Sequence, residues 1–177
     1  MANQNYISIP ILDELVKFAE NDSVYEDAVK AMGSGILNYY FQAINGFSVA
    51  PEQNRDDNYP TSSSSESSIV GQEIEALWII LLQKRRRQLS LGASLEQLTN
   101  ALEYANTEHG RCWALLFHGS GIRFYEYHHN LPEDQRLVQW AEAGDPARTV
   151  YHVRNNAGAI DRMLRHMAQT AVPPVRH

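Results

Sequence analysis

The amino-acid sequence predicts one α/β (α+β) domain, a central sheet flanked by helices, and three observations carry that expectation. Apolar residues recur at helical spacing near both ends of the chain, at Ile11, Leu12, Leu15, Phe18 and Ala19 and again from Ala159 to Ala168. Between them, Cys112 to His118 and Ile122 to His128 are two apolar-rich runs joined by Gly119-Ser120-Gly121, the pattern of a β-hairpin. Finally, 44% of the 177 residues are hydrophobic, enough for one real core. A domain of this size buries roughly 70% of the surface its unfolded chain exposes.

Taken in order, Pro10 is placed to open the first helix, since its fixed φ suits a first turn and its missing N–H would be unpaired there anyway. Ser23-Val24-Tyr25-Glu26 has the spacing of a capping box and starts a second helix through Ala28, Val29 and Met32. Gly33 and Gly35 are expected to interrupt or bend it before Ile36 to Phe41. Gly46 to Pro51 reads as a short strand. From Glu52 to Ser68 the hydrophobic pattern disappears, and residues 54–68, rich in serine, read as a flexible surface loop.

The run Leu77-Trp78-Ile79-Ile80-Leu81-Leu82 suits a strand buried on both faces, yet Ile74, Leu77, Trp78, Leu81 and Leu82 also share one helical face. Periodicity alone does not decide between them. Ser94-Leu95-Glu96-Gln97 is a second capping box, opening a helix with the stripe Leu95, Leu98, Leu102 and Ala105, closed by Gly110. After the hairpin, Pro132 is expected to open a helix through Val138, Trp140 and Ala141 that Gly144 ends. Thr149 to Val153 reads as a short strand. Pro173-Pro174 closes the fold, leaving 171–177 as a tail, and no linker divides the chain, so residues 1–177 read as a single domain.

Composition narrows the function classes. A net charge of −6 disfavours general polyanion binding, with Lys84-Arg85-Arg86-Arg87 as the local exception through which nucleic acid would be reached. One cysteine, Cys112, permits no intrachain disulfide and no thiolate-rich zinc site. The first ten residues lack the charge and apolar order of a signal peptide, and Ala76 to Leu82 is too short to span a bilayer. The expectation is a cytoplasmic or nuclear protein that does not enter membranes.

Complete catalytic motifs are missing from the sequence. Gly33-Ser34-Gly35 and Gly119-Ser120-Gly121 lack the spacing and the lysine of a phosphate loop, and there is no His-Glu-x-x-His pair or Gly-x-Ser-x-Gly elbow. The seven histidines invite a metal reading, but adjacent His128 and His129 on a strand point to opposite faces. No cofactor or metal is expected. Cys112, beginning an apolar strand, reads as a buried residue rather than a nucleophile.

The order of elements from residue 77 onward carries a family resemblance. An apolar run ends in Gln83-Lys84-Arg85, a helix with Gln97-Leu98 and Tyr104 follows, and the hairpin Trp113 to Phe117 returns as Gly121-Ile122-Arg123-Phe124-Tyr125-Glu126-Tyr127. Upstream stand Tyr39-Tyr40-Phe41 and Gly46 to Gln53. Over residues 36 to 130 the chain resembles the fungal PD-(D/E)XK nuclease-like domains, which have the restriction-endonuclease fold. The resemblance implies a central mixed β-sheet with helices around it and reads residues 77–82 as a strand. In that family two carboxylates hold a divalent ion that activates water, and a lysine supports the developing charge.

By the same resemblance, Leu82-Gln83-Lys84 falls on the Glu-x-Lys site, so Lys84 is kept while Leu82 replaces the acid. Ser67 and Ser68 stand where the strand's aspartate belongs. Leucine cannot ligate magnesium, so the expected protein is a degenerate nuclease-fold domain without metal-dependent cleavage, binding an unknown protein or small molecule. A second reading is an enzyme that reuses the vacated, drier cleft for a small apolar substrate, with Lys84, Gln53, Gln97, His118 and Tyr125 as its polar groups. A third is an active nuclease with carboxylates displaced to Asp57, Glu66 or Glu73.

Overall fold

Backbone N–H and C=O groups buried in a core need partners, and in this protein one strand supplies the frame on which the others satisfy them. The computed structural model describes residues 5–21, 26–45, 91–103 and 109–176. The expected strands at Gly46 to Pro51 and in residues 77–82, and the serine-rich loop, lie outside the described residues. Four helices are α1 (Pro10–Asn21), α2 (Glu26–Tyr40), α3 (Leu91–Glu103) and α4 (Ala157–Gln169). The strands are β1 (Arg111–His118), β2 (Gly121–His128), β3 (Leu137–Trp140) and β4 (Tyr151–His152).

Strand β2 is central. On one edge it pairs antiparallel with the whole of β1, Arg111 opposite His128 and His118 opposite Gly121. Its other edge is shared end to end by β3, Tyr127 opposite Leu137, and β4, Ile122 opposite Tyr151, again antiparallel. The hairpin turn needs only Gly119 and Ser120. Gly119 has φ +57°, a conformation that a side chain with Cβ adopts at a cost of about 1–2 kcal/mol.

The two faces of the hairpin bury different sets. Trp113, Leu115 and Phe117 of β1, with Ile122 and Phe124 of β2, pack against α1, α2 and α4 in the larger core. The alternate residues Cys112, Ala114, Leu116, Tyr125 and Tyr127 pack against Leu98 and Leu102 of α3. The period of two thus divides one apolar hairpin between two helical layers. The expected sheet between helices is therefore the observed mixed α+β arrangement, and among the described residues every strand pairing is antiparallel.

Four expectations need correction. Residues 132–141 are not a helix: Pro132 precedes a single 3₁₀ turn, Glu133–Gln135, and Leu137 to Trp140 then become β3. The free edge of β2 decides this, since Phe124 to Tyr127 would otherwise leave buried backbone groups unpaired. Helix α3 begins at Leu91, and Ser94 is a buried residue inside it rather than its cap. Residues 171–176 return to the sheet, where Pro173 is buried and Arg176 reaches β2.

The last correction concerns α2, which runs unbroken through Gly33 and Gly35. Gly35 serves packing: a Cβ there would meet Leu15 Cδ1 at 2.8 Å and Leu12 Cδ2 at 3.1 Å, so α1 and α2 touch at this point. Gly35→Ala would gain about 1 kcal/mol of helix propensity and lose about 1–3 kcal/mol to overpacking. The expected outcome is a net loss of roughly 1 kcal/mol in urea unfolding, and a stabilised variant would show that α1 yields at this contact.

Polar bonds tie the ends of the chain together. Tyr6, fully buried, donates its hydroxyl proton to the carbonyl of Val153. Arg154 bridges Asp13 at 2.6 Å and Glu20 at 2.9 Å, fixing α1 against the segment before α4. Tyr40 of α2 donates to buried Asp161 of α4 at 2.5 Å, and Arg165 completes that carboxylate's partners at 3.0 Å. Burial and the neighbouring Asp161 push the Tyr40 hydroxyl well above the usual tyrosine range, so it remains a donor. Among the described residues no helix is long and apolar enough to cross a membrane.

Candidate functional site

Most buried residues of the hairpin are apolar, which makes the two exceptions informative. Glu126 and His128 of β2 lie on the same face as Ile122 and Phe124, and both are 2% exposed. A charged carboxylate at such a position is costly unless it is fully hydrogen-bonded. Arg176 supplies the bonds: its Nε donates to Oε2 at 2.6 Å and its Nη2 to Oε1 at 3.1 Å, a two-point fork. His128 Nε2 lies 3.0 Å from Oε2, so that nitrogen carries the proton and donates. Burial alone would raise the Glu126 carboxyl, but the hydrogen bonds from Arg176 and His128 together outweigh it and hold the group below the usual carboxylate range.

Above this ion pair a cleft of about 220 Å³ opens at the end of the β1–β2 ladder. Its lining comprises His109, Arg111, His128, Asn130, Leu131, Val175 and Arg176. Arg111 begins β1 directly opposite His128, which places the two side chains on one face about 5 Å apart at Cβ. The Arg111 guanidinium makes no hydrogen bond or ion pair with any described residue. The turns that frame the cleft are held by the backbone: His129 N–H donates to Gly110 at 2.7 Å, and Gly110 takes φ +61°. Among the described residues the lining therefore presents two arginines, two histidines and an amide, and no carboxylate. Beneath it the charge of Glu126 cancels only one arginine.

A second recess of about 280 Å³ lies between the ends of α2 and α4, lined by Tyr39, Tyr40, Gln42 and Arg165. Its cation is already committed, since Arg165 binds Asp161 and stacks 5.5 Å from the Tyr40 ring centre. The cleft at the sheet end is the better candidate.

The residues singled out in the sequence fall elsewhere. Gln53, Lys84 and Arg85 to Arg87 lie outside the described residues. Gln97 is on α3, His118 closes β1, and Tyr125 lies in β2 on the face toward α3. Tyr125 pairs with Ala114, four residues from His118, so the two are roughly 13 Å apart along the strand and form no common centre. Burial raises the Tyr125 hydroxyl, partly opposed by the Arg123 guanidinium. Cys112 is buried and its thiol is pushed up to about 12, leaving no thiolate for nucleophilic chemistry. Among the described residues no three His, Cys, Asp or Glu side chains are grouped as a metal ion requires.

What the sequence reading missed is the pair Glu126–Arg176 and Arg111, which has no partner among the described residues. A signal was present. In the alternation Ile122, Phe124, Glu126, the carboxylate occupies an inward position and so demands a cation from elsewhere in the chain. No known family pattern, characterised protein or solved structure matches this chain.

Proposed function

We propose that this chain is a recognition module that takes an anionic group in the cleft at the end of the β1–β2 ladder. The observation that carries the reading is Arg111: a half-buried arginine with no described partner, in a recess that no described carboxylate lines. A cation without a described partner beside a fixed Arg–Glu pair suits an anion, because the donors of the pair are already oriented and little ordering is required on binding. The residue resemblance to degenerate nuclease-like domains agrees with a non-catalytic role, since Leu82 and Ser67-Ser68 stand where metal-binding acids belong. In this reading the nuclease-type scaffold is kept and the metal chemistry is not.

The test pairs two measurements on the full chain. Sodium sulfate, against sodium chloride at matched ionic strength, is expected to shift the amide resonances of residues 109–111 and 128–131 saturably. Magnesium and manganese are expected to give neither thermal stabilisation nor cleavage of DNA. Metal-dependent cleavage would replace the recognition reading with a nuclease one, and sulfate shifts spread evenly over the surface would remove the cleft as its site.

A further inference from the structure

We infer that the anion this cleft takes is a carboxylate carried on a short apolar stem, an inference that rests on the recognition reading above. Charge is the first argument. Among the described arginines and carboxylates at the cleft, Arg111 and Arg176 bring two positive charges and Glu126 removes one, an excess of one positive charge. A carboxylate carries one negative charge, whereas phosphate at neutral pH carries more.

Geometry is the second argument. Arg176 has its Nε and Nη2 engaged by Glu126, while no described residue engages the fork of Arg111. A planar guanidinium matches a planar carboxylate with two parallel hydrogen bonds. Asn130 stands by with its side-chain amide for a remaining lone pair.

Volume and polarity are the third. A space of about 220 Å³ is several times that of a water-sized group, ~30 Å³, so a bare ion would leave most of it unfilled. Leu131 and Val175 give the rest an apolar surface, and Val175 is 58% exposed without a ligand. An aliphatic stem covering these two side chains removes them from water while the head meets Arg111. The same chemistry has two natural sources, a free short-chain acid and the carboxy-terminal end of a peptide.

The experiment is an amide-resonance titration of the full chain with hexanoate, hexanol, inorganic phosphate and sulfate, and with one valine-ended tetrapeptide in free-acid and amidated forms. Hexanoate should saturate the resonances of residues 109–111, 128–131 and 175–176 more tightly than phosphate, and hexanol should not. Arg111→Gln should weaken hexanoate by about tenfold or more. His109→Ala, at an exposed turn position outside the ladder, should weaken it less, and Arg162→Gln on α4 should leave it unchanged. Tighter binding of the free-acid peptide than of hexanoate, lost on amidation, assigns the source as a peptide end, and the reverse order assigns a small acid. Phosphate or sulfate binding ahead of hexanoate overturns the carboxylate inference while leaving anion recognition standing. Cleft resonances that respond to no anion overturn both.

Discussion

Trp113→Ala is expected to cost about 3–5 kcal/mol of stability, as truncation of a fully buried aromatic ring typically does. Trp113 is 0% exposed at the middle of β1, on the face that meets α1, α2 and α4. Its ring centre lies 4.6 Å from that of Trp140 on β3 and 5.8 Å from that of His166 on α4. The indole N–H donates to the carbonyl of Thr170 at 2.6 Å, just past the end of α4. One side chain thus joins the sheet, the correct placing of β3 and the docking of the last helix. Alanine would leave a cavity among rings that cannot collapse into it, and would strip the Thr170 carbonyl of its donor. Native domains are typically stable by about 5–15 kcal/mol, so the loss is a large share of the total. Trp113→Phe keeps most of the ring volume and loses the hydrogen bond, so it should cost less than half as much. Urea midpoints followed by circular dichroism decide the matter. A loss below about 1 kcal/mol for the alanine variant would mean that the contact with Trp140 and His166 is not closely packed.

The elements that were legible in the sequence are those whose cause is local. The α1 stripe follows from the spacing of Leu12, Val16 and Ala19, all buried. The hairpin follows from two apolar runs about a glycine with positive φ. The misreading of residues 137–140 has the opposite origin. Leu137-Val138-Gln139-Trp140 has no strong helical or strand preference of its own, and the free edge of β2, ten or more residues earlier, imposes the extended form. Gly35 was misjudged for the same reason, since the need for a small residue comes from Leu12 and Leu15 on another helix. The candidate site was the least legible part. Arg111, His128 and Arg176 share no motif spacing, and what joins them is the return of residues 171–176 to the sheet, a tertiary event. Only the inward-facing Glu126 announced that a cation would be required.

That requirement leads to the second large effect, an asymmetry between the two partners of one ion pair. Arg176→Ala is expected to cost about 2 kcal/mol at neutral pH, whereas Glu126→Gln should cost about half as much. The reason is burial. The Glu126 side chain is 2% exposed and the Arg176 side chain 43% exposed. Removing the arginine leaves a buried carboxylate with His128 as its one remaining described donor, while neutralising the glutamate leaves a guanidinium that water can reach. Values at the upper end for buried pairs, about 3–5 kcal/mol, do not apply to a pair with one solvated member. The double variant Arg176→Ala with Glu126→Gln should be more stable than Arg176→Ala alone, because the stranded charge is gone. The pH dependence has a definite sign. The Glu126 carboxyl is held below its ordinary value near 4.5, so its contribution is complete above that value and lost as pH falls through the lower folded-state value. The stability gap between the wild-type chain and Arg176→Ala should therefore persist from pH 7 to near 4.5 and close as pH falls further, since protonation removes the charge that the arginine serves. Urea unfolding of the four chains from pH 7 to well below 4.5 checks both statements. A gap independent of pH, or a costlier Glu126→Gln, would place the strain on the arginine rather than on the buried carboxylate.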